Sequence, residues 1–224
     1  MPIAVKICGI NSDAACAAAV GAGADAIGLV FYPPSPRFVT LDQARDISAQ
    51  VPGRVIKVGL FVDPDDAVLE QTLADVPIDL LQLHGREAPE RVAAIRERFR
   101  RPVMKAIRIA AREDVDAAEA YCDVADRLLF DAKPPKDMKG ALPGGNALAF
   151  DWDLLAGRTW PIPWMLSGGL DAGNVAEALR VSRAPAVDVS SGVEDRPGVK
   201  NPDKIRAFVE AAKGRSRPAP DLRP

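Results

Sequence analysis

A few side chains able to move protons or hold an anion recur at regular spacing along the chain. Cys8 stands in AVKICGI, Arg37 in YPPSPRFV and Asp63 in VIKVGLFVD. His84 stands in DLLQLHG, Arg108 in VMKAIRI and Asp131 in RLLFDAK. Ser167–Gly168–Gly169 and Asp188–Val189–Ser190–Ser191–Gly192 complete the series. A thiol and a carboxyl group make a proton-transfer pair when one is partly ionised and the other is kept protonated by shielding from water. Cys8 and Asp131 are the candidates, with Lys6 placed to assist a thiolate. Each also has a plainer reading. Cys8 could be a small buried hydrophobe, as Cys16 and Cys122 are read, and Asp131 a helix cap or a partner for Lys133.

The clearest ligand signal is the pair of segments SGG and DVSSG. Glycines allow close backbone approach, and N–H groups at helix starts bind phosphate dianions. Gly168, Gly169, Ser190 and Ser191 are therefore candidate phosphate ligands, with Asn174 near the start of the following helix. The competing reading is two ordinary strand-to-helix turns. Asp188 would repel a phosphate, so it is assigned to a sugar hydroxyl or a backbone amide. Arg37 follows three prolines that stiffen its loop, and an exposed guanidinium there suits a bidentate grip on a carboxylate. It could equally be a solvated loop arginine. His84 is either a substrate ligand or a satisfied structural histidine.

These residues need a frame that brings them together. Strands are expected at 4–10, 25–31, 55–61, 79–85, 103–109, 127–133, 164–169 and 186–192, each a nearly continuous apolar run of the kind buried on both faces. Between them lie segments with apolar residues near i, i+3, i+4 and i+7, the helical period. Asp63–Pro64 and Asn201–Pro202 read as N-cap and first-turn pairs. Eight β–α units in one chain predict a closed (β/α)8 TIM barrel, whose active site lies at the C-terminal ends of the strands and whose phosphate sites follow strands 7 and 8. An open dinucleotide-binding sheet fits less well, because GAGADAIG precedes a strand instead of following one. Residues 1–215 form one barrel domain, and the Pro-rich tail 216–224 is expected to be disordered. The segment 134–152, rich in Gly, Pro and Lys, is expected to be a lid-like loop around Lys136 and Lys139. The charge run 90–101 reads as a solvated helix face.

Composition excludes several classes. Lys plus Arg is 29 against 31 for Asp plus Glu, so the chain lacks the basic footprint of a nucleic-acid binder. No apolar run is long enough to span a bilayer, and the N-terminus has no signal-peptide pattern, so a cytoplasmic protein is expected. Three cysteines and one histidine cannot readily supply a zinc site, and a Ser–His–Asp triad would have to rest on His84 alone.

The motifs KICG, GLVFYPPSPRFV, VGLFVD, LLQLHG, LLFDAK, GGNALAFDW, LSGGLDAGNV, VDVSSGVE and GVKNPDKI, in this order over nearly the whole chain, resemble the phosphoribosylanthranilate isomerase family. The resemblance implies a ribulose-phosphate-binding barrel that performs an Amadori rearrangement in tryptophan biosynthesis. It further implies Cys8 as general base and Asp131 as general acid, with Arg37 on the anthranilate moiety. Gly168, Gly169, Ser190 and Ser191 would hold the phosphate. No cofactor and no metal are expected, since the redox change is internal to the substrate. LDAGNV departs from the pattern, with Ala172 and Gly173 where relatives often carry Pro and Glu. Rival readings are another sugar-phosphate barrel, such as an indole-glycerol-phosphate synthase or a pentose-phosphate epimerase, and an inert phosphate-binding assembly protein. The expected partner is a phosphorylated aminosugar, bound by a monomer or a homodimer.

Overall fold

The computed structural model describes residues 3–134, 144–146 and 148–214. Eight parallel strands close into a barrel in chain order: β1 (Ala4–Cys8), β2 (Ala26–Val30), β3 (Ile56–Phe61), β4 (Leu80–Leu83), β5 (Val103–Ile109), β6 (Arg127–Ala132), β7 (Trp164–Leu166) and β8 (Ala186–Val189). The first strand pairs with the last through Ala4↔Ala186 to Ile7↔Val189. The outer layer contains α1 (Asp13–Ala22), α2 (Leu41–Ala49), α3 (Asp66–Asp75), α4 (Pro89–Phe99), α5 (Arg112–Ala117), α6 (Val175–Ser182) and α7 (Pro202–Ala212). The sixth crossover differs from the expected β–α unit. Its described part carries only a 3-10 turn, Trp152–Leu154.

Alternation along the strands divides the core. Ala26, Val58, Leu80, Met104, Ala106 and Leu129 form one buried cluster, with Cys8, Val30 and Leu60 in another. These point inward, while Ile7, Ile27, Leu81, Leu128 and Val187 join the larger layer between sheet and helices. The inward series also includes Lys6, Gln82 and Asp188, all buried. A polar side chain there requires an internal partner. The lower rim is tied by a repeated device. Asp25, Asp79 and Asp126, each just before an even-numbered strand, accept from the N–H of Val5, Lys57 and Val103 on the preceding strand, at 2.8 Å each.

Some boundaries move. The strands stop two or three residues earlier at Cys8, Leu83, Leu166 and Val189 than the apolar runs suggest, because the following residues turn into the barrel mouth. The cap of α3 is Asp65, which accepts from Val68 N–H, and not Asp63. Asp63 instead takes a left-handed φ of 47° and accepts from Arg86 N–H. Asn201 does cap α7, accepting from Asp203 and Lys204 N–H with Pro202 in the first turn. The run 90–101 forms most of α4, with Val92 and Ile95 buried and arginines reaching Asp66, Glu70 and Asp126. Cys16 is buried as expected, whereas Cys122 is only half-buried. A two-strand hairpin not anticipated from the sequence, β9 (Glu194–Arg196) and β10 (Val199–Lys200), follows β8. The lid expectation around Lys136 and Lys139, and the tail 216–224, fall outside the described residues.

Candidate active site

A pocket lies at the C-terminal mouth of the barrel. Cys8, Arg37, His84, Asp131, Gly168, Gly169, Asp188, Ser190 and Ser191 all line it. Asp63 and Arg108, two other residues picked out by position, are not among its lining residues. Cys8 and Asp131 stand on β1 and β6, three steps apart around the closed ring.

The thiol sits above a buried ion pair. Lys6 Nζ donates to Asp188 Oδ1 at 2.8 Å, and Ser167 Oγ donates to Asp188 Oδ2 at 3.2 Å. Asp188 therefore spends its carboxylate on Lys6 and a hydroxyl rather than on a backbone amide. Burial would drive the Lys6 ammonium down, but Asp188, aided by Cys8, outweighs it and holds the lysine above its ordinary value. For Cys8 the balance falls the other way. Burial pushes the thiol up, and the attraction of Lys6 does not cancel it. The expected Lys6 assistance therefore acts on the thiol without outweighing its burial. Room for sulfur comes from Gly28 on the adjacent strand, where a Cβ would lie 2.8 Å from Cys8 Sγ.

Asp131 has a different neighbourhood. Its Oδ1 accepts from Ala132 N–H at 2.9 Å, and its Oδ2 lies 3.2 Å from His84 Nε2. Neither plain reading of Asp131 describes this arrangement, since Lys133 pairs with Asp114 instead. The other ring nitrogen of His84, Nδ1, is 3.0 Å from the amide nitrogen of Gln82. Gly144 closes over this pair: a Cβ there would sit 2.7 Å from Asp131 Oδ2 and 2.9 Å from His84 Nε2.

Arg37 is buried, not exposed. Its Nε and Nη2 make a bidentate pair with Glu194 at 2.8 Å each, and Nη2 also donates to Gly145 O. The carboxylate it grips is thus the protein's own, which leaves Nη1 toward the loop at Gly145. Lys200 Nζ shares Glu194 Oε1 at 2.6 Å and donates to the carbonyl and hydroxyl of Ser190. Burial alone would raise the Glu194 carboxyl, yet Arg37 and Lys200 together hold it below the usual range. Lys200 is itself pulled down by burial, with Glu194 only partly restoring it.

The candidate anion turns are shaped by glycine. Gly168 and Gly169 take φ of 89° and 60°, in the left-handed region. Added Cβ atoms would lie 2.7 Å from Ala132 N and 2.6 Å from Ala149 N respectively. The N–H groups of both donate to no other described residue. Asn174, the residue before α6, braces the turn by donating to Gly169 O and accepting from Asp171 N–H. Its position holds despite Ala172 and Gly173 in the preceding turn. Ser190 and Ser191 face the same pocket, with Ser190 donating to Cys8 O.

Sequence reasoning missed Gln82, Gly144, Gly145, Glu194 and Lys200 as parts of the site. A glutamine inside an otherwise apolar strand and the doublet in GGN were available signals. Among the described residues no group of three or more His, Cys, Asp or Glu is arranged to hold a metal.

A (β/α)8 barrel whose mouth carries glycine–serine turns after its last two strands, with a thiol and a carboxyl beside them, has the layout of a phosphate-binding (β/α)8 enzyme. Comparison with known proteins narrows the class. The family model described as N-(5'-phosphoribosyl)anthranilate (PRA) isomerase matches residues 5–211. The N-(5'-phosphoribosyl)anthranilate isomerase of Paramagnetospirillum magneticum is 61% identical over 214 residues, covering 96% of this chain and 99% of the relative. A crystal structure of a phosphoribosyl anthranilate isomerase in complex with reduced 1-(o-carboxyphenylamino)-1-deoxyribulose 5-phosphate is 36% identical with a TM-score of 0.80, covering 95% and 99% of the two chains. The same figures hold for monomers generated from the dimeric Thermotoga maritima enzyme. The chain belongs to the PRA isomerase family.

Proposed function

We propose that residues 1–215 form one catalytic domain that converts N-(5-phosphoribosyl)anthranilate into 1-(2-carboxyphenylamino)-1-deoxyribulose 5-phosphate in tryptophan biosynthesis. Asp131 protonates the furanose ring oxygen, the C1′–O bond breaks, and a protonated Schiff base forms. Cys8 removes the C2′ proton, and the resulting enolamine tautomerises to the ketone. C1′ is reduced as C2′ is oxidised, so no external redox partner enters. The N–H groups of Gly168 and Gly169 and the hydroxyls of Ser190 and Ser191 hold the phosphate. Arg37 Nη1 receives the anthranilate carboxylate, Asp188 faces the sugar hydroxyls, and His84 bonds Asp131. Binding at the two anionic ends fixes the reacting carbons between base and acid.

The raised thiol fits this order of events. A cationic Schiff base beside Cys8 favours thiolate, so the base is formed when its target is present. The protein acts in the cytoplasm as a monomer or a homodimer, without nucleic-acid or membrane partners. Among the described residues no helix is long and apolar enough to cross a membrane.

The observation that carries this reading is the presence of Cys8, Asp131 and both glycine–serine turns in one pocket. The test is turnover of substrate made in situ from anthranilate and phosphoribosyl pyrophosphate, followed by loss of anthranilate-type fluorescence. General acid–base groups contribute about 10² to 10⁴ each, so Cys8→Ala and Asp131→Asn should lose at least that much in kcat with little change in product affinity. Near-normal turnover by either variant would remove that residue from its role.

A further inference from the structure

Gln82 lies within β4, two residues before His84 on the inward face, and its side chain is fully buried. One polar atom of its amide meets His84 Nδ1 at 3.0 Å, while Oε1 has no hydrogen-bond partner among the described residues. With the amide nitrogen toward the ring, Nδ1 must accept. The ring proton then sits on Nε2 and points at Asp131 Oδ2, 3.2 Å away. Asp131 would receive two donors, this one and Ala132 N–H. In that arrangement Asp131 accepts at both oxygens and presents no proton of its own, whereas a general acid must offer one.

Turning the amide over exchanges its two atoms at nearly the same positions. Oε1 then accepts from Nδ1–H, and Nε2 becomes the acceptor for a proton on Asp131 Oδ2. We propose that Gln82 is a positioning residue that holds the proton of His84 on Nδ1, so that Asp131 and His84 form one dyad carrying a transferable proton between Oδ2 and Nε2. This rests on Asp131 being the acid. The seal over the dyad supports it, since Gly144 packs against Oδ2, Cε1 and Nε2 closely enough that a Cβ would lie under 3 Å from each. His84 and Asp131 are both buried, which limits exchange of the shared proton with bulk water. Arg108 on β5 stands beside Asp131 in the sheet register, and Cys8, Tyr32, Arg37 and Asp188 are the other ionisable groups lining this pocket. None of these bonds the imidazole, so among the described residues the side-chain partners of the ring nitrogens are Gln82 and Asp131.

The chain has one histidine, so its imidazole can be read alone in the intact protein. Long-range proton–nitrogen correlation spectra of ¹⁵N-histidine-labelled protein at neutral pH report which ring nitrogen is protonated. A proton on Nδ1 is expected. A neutral ring protonated only on Nε2 overturns the proposal, whatever the activity. In Gln82→Met the Nδ1 preference should disappear, and kcat should fall about tenfold or more with KM changing less than twofold. Gln82→Glu retains an acceptor and should keep the proton on Nδ1. Unchanged ring spectra in Gln82→Met also overturn it. The acid assignment is tested separately by Asp131→Asn, so the two failures are distinguishable.

Discussion

Replacing Glu194 by glutamine keeps the volume of the side chain and removes one buried negative charge. The carboxylate, only 3% exposed, faces Arg37 at 2.8 Å and Lys200 at 2.6 Å. The substitution leaves two buried cations opposite an amide. Breaking a buried ion pair by removing one partner costs about 3–5 kcal/mol. Lys200 sets a ceiling on its own share, because it can shed its proton. Neutralising a lysine of ordinary value 10.5 at pH 7 costs no more than about 5 kcal/mol, at roughly 1.4 kcal/mol per unit. For a domain of this size each kcal/mol moves Tm by about 2–4 °C, so Tm should fall by roughly 6 to 20 °C in Glu194→Gln. Thermal unfolding followed by circular dichroism measures it, and adding Lys200→Met should recover part of the loss. The pH dependence is fixed in sign. Glu194 is held below its ordinary value of 4.5, so its contribution is present above that value and lost as pH falls through the folded value. Wild type and variant should converge in acid. A Tm change under 2 °C at pH 7, or a gap that persists in acid, would refute the reasoning.

Two further outcomes follow from the same site. Gly28→Ala puts a Cβ 2.8 Å from Cys8 Sγ and 3.1 Å from Lys6 Nζ, so overpacking should cost about 1–3 kcal/mol and displacement of the base about 10²-fold in kcat; wild-type kcat in a folded variant would contradict the close fit. Because burial holds the Cys8 thiol above 9.0, its alkylation by iodoacetamide, tracked by peptide mass, should keep rising past pH 9 and be blocked by product; a plateau below pH 9 would count against it.

The barrel was legible because strands such as β2 and β3 are continuous or nearly continuous apolar runs separated by helical periods. Their ends were less so, since Gly85 or Ser167 continues the run in composition while leaving the sheet in space. In DPDD three aspartates compete for one cap, and the hydrogen bond to Val68 N–H selects Asp65. Strand position alone brought Cys8, Asp131 and the glycine–serine turns to one pocket, though it also selected Asp63 and Arg108, which do not line it. Their partners could not be chosen that way. Arg37 meets Glu194 across 157 positions, and nothing local to YPPSPRFV announces that its guanidinium is already occupied. Lys6 and Gln82 left a fainter trace, as polar residues inside strands buried on both faces.

The joint between β1 and β8 has a consequence for how the enzyme comes into being. Lys6 finds Asp188, and the carbonyl of Cys8 finds Ser190, each across 182 positions. At about 5–20 residues per second, a ribosome needs roughly 9 to 36 s to make that stretch. Throughout that interval the nascent chain holds a lysine without its counter-ion and a thiol without its pocket. Cys8 is therefore chemically most vulnerable before release, and at neutral pH an electrophile present during translation would alkylate it more readily than a pulse given after folding.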